Sequence, residues 1–186
     1  MTYDELCSFF SSIGEKPYRA GQMFSWMAKG TPISEMTTFS KSLRDRLAEE
    51  VEYRLPTIRR KLVSEIDGTR KYLFEMIDGE CIESVFMHYE HGTSLCVSSQ
   101  AGCAMGCKFC ASTKQGFRRD LRAGEMLKEI YLIQDDIGER IGNVVIMGIG
   151  EPLMNYDNVV NFLKNIIDPK GLNIGQRHVT LSTCGI

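Results

Sequence analysis

Residues 100–110 read QAGCAMGCKFC, placing Cys103, Cys107 and Cys110 in a C-x3-C-x2-C spacing on one short loop. The chain has seven cysteines, and an odd number with three crowded together favours metal binding in a reducing compartment over a disulfide framework. A cubane iron–sulfur cluster has four irons and is usually held by four cysteines, so a compact set of three implies one iron left for another ligand. Structural zinc is the alternative. It wants four protein ligands, and the nearest histidines, His88 and His91, lie upstream rather than at finger-like spacing. Inert burial is the third reading, but a loop containing Gly102, Gly106 and Lys108 is poor core material.

The cysteine loop lies between a short strand, Thr93 to Ser99, and a helix, Ala123 to Ile137, that carries Met126, Ile130, Ile133 and Ile137 along one stripe and stops at Gly138. Asn143 to Met147 is then an apolar run without alternation. Asp157 to Ile167 reads as a second helix, and His178 to Ser182 as a third strand. Uninterrupted apolar strands joined by helices predict a parallel sheet covered by helices.

Upstream the pattern differs. Thr2 with Glu5 three residues later is a capping-box signal, followed by Leu6, Phe9, Phe10 and Ile13 at helical spacing. Ala20 to Lys29 reads as a helix stopped by Gly30, and Ser40 caps a third helix carrying Leu43, Leu47 and Val51. After Pro56 come three strand-like runs, Thr57 to Ile66, Thr69 to Ile77 and Glu80 to Met87, separated by Asp67-Gly68 and Asp78-Gly79, pairs that suit tight turns with both residues at positive φ. The expected organisation is therefore a helical module at 1–52, a three-stranded antiparallel meander at 53–90 and an α/β unit at 91–186.

Composition sets the class. With 43% hydrophobic and 25% charged residues, and neither repeat nor low-complexity tract, the chain reads as an ordered cytoplasmic protein; the amino terminus has no signal or anchor pattern, and nothing suggests a membrane. A net charge of -2 gives no overall pull on nucleic acid. One local stretch does: between Tyr53 and Lys71, Arg54, Arg59, Arg60, Lys61, Arg70 and Lys71 face only Glu65 and Asp67. An RNA-facing patch and a solvated strand face explain it equally well.

A second chemical signal is Met147-Gly148-Ile149-Gly150-Glu151-Pro152, at the carboxyl end of the apolar strand, where ligands bind in parallel α/β folds. The two glycines would let a ligand approach the backbone, and Glu151 would accept hydrogen bonds from an ammonium group, such as that of a bound amino acid.

These residues resemble the radical S-adenosylmethionine enzymes, and within them the dual-specificity RNA methyltransferases that methylate C2 of adenosine. The likeness rests on LCVSSQAGCAMGCKFC at 95–110, QGFRR at 115–119, GIGEPLMNYDN at 148–158, VTLSTCGI at 179–186 and YRAGQMFSWM at 18–27. It implies the N-terminal part of a partial (β/α) barrel, with Cys103, Cys107 and Cys110 holding a 4Fe-4S cluster whose open iron chelates S-adenosylmethionine. Gly150, Glu151 and Ser182 match the family's cofactor-binding positions. Glu83 matches its proton acceptor, where residue pattern alone shows only a strand acid. Cys96 matches the cysteine that forms a transient disulfide with a methyl-carrying cysteine near the carboxyl terminus; otherwise it reads as a small buried strand residue.

The mechanism implied by the family uses one cofactor molecule to methylate that carrier cysteine and a second, reductively cleaved, to generate a radical on the new methyl group that adds to adenine. The implied partners are large-subunit rRNA, tRNA and an electron donor such as flavodoxin or ferredoxin. Two rivals stand beside this reading: the related resistance methyltransferase acting at C8 of adenosine, and a non-catalytic iron–sulfur or zinc module that binds RNA. The resemblance also predicts about three further βα units and a carrier cysteine that Cys184 does not match, so these 186 residues are expected to be an amino-terminal fragment that holds a cluster without turning over.

Overall fold

The computed structural model describes residues 1–90 and 92–186, so His91 lies outside the described residues. Helix α1 (Tyr3–Ser12) starts as its capping signal predicts: Thr2 Oγ1 accepts the Glu5 amide at 3.3 Å, and the Glu5 carboxylate accepts the Thr2 amide at 2.8 Å. Helix α2 (Tyr18–Met27) gives way to Gly30 in the left-handed region, and α3 (Lys41–Glu50) is capped by the Ser40 hydroxyl on the Leu43 amide. Their apolar faces meet in one core built from Leu6, Phe10, Met23, Met36 and Leu47, each 0% exposed. Among the described residues this core shares no buried residue with that of the sheet.

Among the described residues the main sheet has six strands. The meander strands β1 (Thr57–Val63), β2 (Arg70–Glu75) and β3 (Cys81–Tyr89) are antiparallel and continue, again antiparallel, into β4 (Gly92–Val97). Strands β7 (Asn143–Ile146) and β8 (Val179–Leu181) then add in parallel to β4. A separate ribbon pairs β5 (Gln100–Ala101) with β6 (Arg119–Asp120) around the cysteine loop. Helices α4 (Ala123–Ile137) and α5 (Tyr156–Ile167) provide the crossovers. The meander is thus not set apart from the α/β unit, because Val85 to Tyr89 pair with Cys96 to Gly92.

The Asp-Gly turns differ from expectation. Gly68 and Gly79 are left-handed, at φ 71° and 84°, but Asp67 and Asp78 are not. Each aspartate instead keeps ordinary backbone and accepts the amide two residues on, Thr69 at 3.1 Å and Glu80 at 3.2 Å. The Gly79 amide bonds back to Met76, giving a turn closed by a single left-handed glycine rather than a two-residue turn with both at positive φ.

One sheet face carries Tyr72, Phe74, Ile82, Phe86, Leu95, Val97, Val144 and Ile146, all nearly fully buried beneath α4 and α5 with Met126, Ile130, Ile133 and Phe162. Alternation sends Glu83, Val85, Cys96, Val145 and Thr180 to the opposite, more open face. The helical module docks on this framework where Phe24 packs beside Gly171, Lys170 sits over the Tyr3 ring at 3.6 Å, and Lys128 Nζ lies 5.4 Å from the centre of the Tyr53 ring, which packs against the module's core.

Because the two cores are distinct, Leu47→Ala should cost about 2–5 kcal/mol within the helical module. Hydrogen exchange should quicken across α1–α3 and stay near wild type in β2–β4.

Candidate cofactor site

Two loops leave adjacent parallel strands at their carboxyl ends, one after β4 and one after β7, and cross in direct contact. Ile149 accepts both the Ser99 amide at 2.9 Å and the Gln100 amide at 3.0 Å, while the Gly148 amide donates to Val97 at 3.0 Å. Gln100 then secures both sides: its Oε1 accepts the Glu151 amide at 2.9 Å, and its Nε2 donates to Asp120 at 2.8 Å. Asn155 Nδ2 binds the Ser99 and Leu121 carbonyls from below. No simple periodicity marks Ser98, Gln100 or Asn155 for these roles; Asn155 falls inside the Gly-rich motif without a part assigned to it.

The glycines are needed for contact as much as for conformation. A Cβ on Gly148 would lie 2.7 Å from the Val97 carbonyl oxygen, and one on Gly150, at φ 112°, 2.6 Å from Gln100 Cβ. Gly102 is the most constrained: at φ 73° its Cβ would fall 1.8 Å from the Gly116 carbonyl oxygen. That approach closes the cysteine loop, whose Cys103 amide donates to Gly116 at 3.2 Å.

All seven cysteines are free thiols. Cys103 is buried, and Cys107 and Cys110 are half-buried on a turn closed by the Cys110 amide on the Cys107 carbonyl at 3.0 Å and the Thr113 hydroxyl on the Cys110 carbonyl at 2.8 Å. Among the described residues no three His, Cys, Asp or Glu side chains converge as a metal centre, so the three thiols share a loop without being drawn together. As a donor set they suit an iron–sulfur cluster: three unpaired thiols on one loop whose ends are pinned by backbone bonds. His88 is no fourth ligand for zinc. Its register partner is Thr93, at the start of β4, and the cysteine loop leaves from that strand's other end.

Glu151 is 4% exposed and already has partners: Thr183 Oγ1 donates at 2.6 Å, the Cys184 amide at 2.9 Å and the Leu153 amide at 3.0 Å. Burial pushes its carboxyl up, but these bonds outweigh burial and hold the pKa below the ordinary value. An ammonium ligand would join or replace the Thr183 and Cys184 donors. Ser182 extends the β7–β8 pairing through its amide on Ile146 at 3.1 Å, and Cys184 Sγ lies 3.3 Å from Met105 Sδ in the cysteine loop.

Glu83 and Cys96 share the open sheet face. Glu83 Oε1 pairs with Lys71 Nζ at 2.7 Å, both side chains roughly half exposed. Burial pushes the Cys96 thiol up, so it is protonated at neutral pH. The basic stretch is largely partnered: Lys61 and Arg70 pair with Asp136, Arg59 with Glu75 and Lys71 with Glu83. A cavity of about 700 Å³ lies elsewhere, between the helical module and α4, near Glu52, Asp78, Arg119, Arg122 and Glu125.

The family model described as the ribosomal RNA large subunit methyltransferase N-terminal domain matches residues 1–52, and that of the radical SAM superfamily matches residues 97–186. A probable dual-specificity RNA methyltransferase RlmN from Alkaliphilus metalliredigens is 56% identical over 187 residues, covering 100% of this chain and 53% of its own. A protein of the same name from Clostridium novyi is 52% identical, over 100% of this chain and 54% of its own. A crystal structure of a radical SAM methyltransferase from Sphaerobacter thermophilus superposes with a TM-score of 0.91 at 36% identity, over 100% of this chain and 56% of that one. Over its whole length the chain is thus similar to RlmN methyltransferases, and over residues 97–186 to the radical S-adenosylmethionine superfamily. It spans about half the length of the curated relatives it matches. The family implies a 4Fe-4S cluster and S-adenosylmethionine as cofactors. Among the described residues no helix is long and apolar enough to cross a membrane.

Gly102→Ala should deform the cysteine loop, since both backbone and space forbid a side chain there. Iron uptake on anaerobic reconstitution should fall to near zero, with far-ultraviolet circular dichroism unchanged.

Proposed function

We propose that Cys103, Cys107 and Cys110 hold the cluster, that Gly150, Glu151 and Ser182 bind S-adenosylmethionine beside it, and that the protein of full family length methylates C2 of adenosine in large-subunit rRNA and tRNA. The observation that carries this reading is the crossing of the two loops. Three thiols emerge from one strand end, and a buried carboxylate with a glycine-cleared backbone emerges from the next, joined by Ser99, Gln100 and Ile149.

Bound there, the cluster would supply the electron that cleaves S-adenosylmethionine reductively. The chain's own residues orient and protect. Glu151 takes the amino group of the ligand, Gly148 and Gly150 let the two loops close together beneath it, and Ser182 contacts it from just beyond β8. Glu83 accepts a proton on the open face, with Lys71 beside it to compensate the charge. Cys96 waits there as a thiol for the disulfide step with the carrier cysteine of the full-length protein.

RNA would be held by its backbone and shape, with the helical module and the meander as the gripping parts. Arg59, Lys61, Arg70 and Lys71 can exchange their carboxylate partners for phosphates, since exposed ion pairs are worth little. A flavodoxin or ferredoxin supplies the electron, and the free thiols suit the cytoplasm.

Anaerobic reconstitution tests the site in this chain. About four irons per chain and an electron paramagnetic resonance spectrum altered by S-adenosylmethionine are expected, with iron lost on replacing any one of the three cysteines by alanine. Bound zinc without iron would remove the proposal. For the full-length protein, mass spectrometry should place the new methyl group at C2; a C8 methyl would mark the resistance-type reaction instead.

A further inference from the structure

Glu129, on α4, is 0% exposed, among the apolar side chains behind the sheet. Its Oε2 accepts the Ser84 hydroxyl at 2.5 Å and the Ser98 amide at 3.0 Å, while its Oε1 has no partner among the described residues. Burying a carboxyl with one oxygen unsatisfied is costly, and a leucine in a core helix would avoid the cost. What Glu129 holds is therefore informative. Ser98 is the first residue beyond β4, and its hydroxyl donates to the Glu83 carbonyl at 2.6 Å and accepts the Ile149 amide at 2.9 Å. One serine thus joins the backbone that carries Glu83 to the middle of the Gly148–Gly150 turn, and Glu129 holds that serine from behind.

We propose that Glu129 is a positioning residue of the cofactor site: by fixing the Ser98 amide it sets the Ser98 hydroxyl under Ile149 and thereby the spacing between the cysteine loop and the Gly148–Gly150 turn. This rests on reading those two loops as the cofactor site. Glu129 touches no ligand and acts only through Ser98.

Its protonation follows from the same burial. Burial pushes the carboxyl up to about 8, against the lowering effect of the Ser84 and Ser98 bonds, with the Glu125 charge adding a small upward push. The groups facing it are Ser84 on β3, Cys96 and Ser98 around β4 and Glu125 on its own helix. The folded state holds this proton more tightly than the unfolded chain. Stability from this group is therefore greatest below the ordinary carboxyl value of 4.5, falls as pH rises from there to about 8, and levels off above it.

The test compares wild type, Glu129→Gln, Glu129→Leu and Ser98→Ala. Hydrogen exchange is measured on the chain without iron, and S-adenosylmethionine affinity after anaerobic reconstitution. The glutamine oxygen can accept both bonds. Glu129→Gln should therefore keep wild-type protection at Ser98 and Ile149 and wild-type affinity, while its stability loses the slope between pH 5 and 8. Glu129→Leu should fold with a melting temperature and iron content at least equal to wild type. It should nevertheless lose about tenfold in protection at Ile149 and about tenfold or more in affinity, as for other supporting partners of a cofactor site. Ser98→Ala, which keeps the amide bond to Glu129, should show the same loss of affinity.

Wild-type protection at Ile149 in Glu129→Leu would overturn the proposal, as would wild-type affinity in Ser98→Ala should the leucine variant not fold. Failure of the wild-type chain to take up iron or S-adenosylmethionine would instead count against the cofactor reading, with the exchange measurements still deciding what Glu129 positions.

Discussion

The contact on which the site depends is backbone against backbone, where Val97 to Gln100 crosses Gly148 to Gly150. Both segments have just left their strands, and neither can satisfy its amides by continuing the ladder. Three amides are satisfied across the gap, those of Ser99 and Gln100 on Ile149 and that of Gly148 on Val97. The approach is too close for a Cβ at either glycine. The gap itself therefore selects glycine at 148 and 150. The side chains of Ser98, Gln100 and Asn155 then meet the amides of Ile149 and Glu151 and the carbonyls of Ser99 and Leu121.

Charge in this protein is arranged by the fold more than by the chain. Along the sequence the meander looks cationic, yet Asp136 on α4 meets both Lys61 and Arg70 and also accepts the Tyr72 hydroxyl. Glu83, two residues from Val85 on the open face, draws Lys71 to it. The same principle governs the three notable acids. Glu83 stays half exposed with a lysine, Glu151 is buried with three donors and remains acidic, and Glu129 is buried with two donors and is pushed to about 8. Glu151 and Glu129 thus differ in their affinity for a proton: burial pushes both up, and only around Glu151 do the donors outweigh it.

Much of this was legible in the amino-acid order because it is local. Thr2 with Glu5, Ser40 before Leu43, and Gly138 after the α4 stripe each mark a helix end through bonds spanning four residues or fewer. The cysteine loop and the Gly-Ile-Gly-Glu turn were equally legible as loops at strand ends. What could not be read is what distant segments do to each other. Ser98 and Glu129 are 31 residues apart, Lys61 and Asp136 are 75 apart, and Glu151 meets Thr183 across 32. The Asp-Gly turns mark an intermediate case. The glycine was rightly placed in the left-handed region, but an aspartate that caps its own turn through its side chain has no need of it.

The pairing of β3 with β4 carries a mechanical consequence. A continuous hydrogen-bonded ladder runs from β1 through Cys96 to β8, so the meander cannot swing relative to the loops that leave β4 and β7. The helical module is attached differently, by a few contacts around Phe24, Lys170 and Lys128 and by a short connection through Leu55 and Pro56. Any force applied to the sheet is therefore transmitted to the loops that leave β4 and β7 as through a rigid plate, whereas the module is joined to that plate by few contacts.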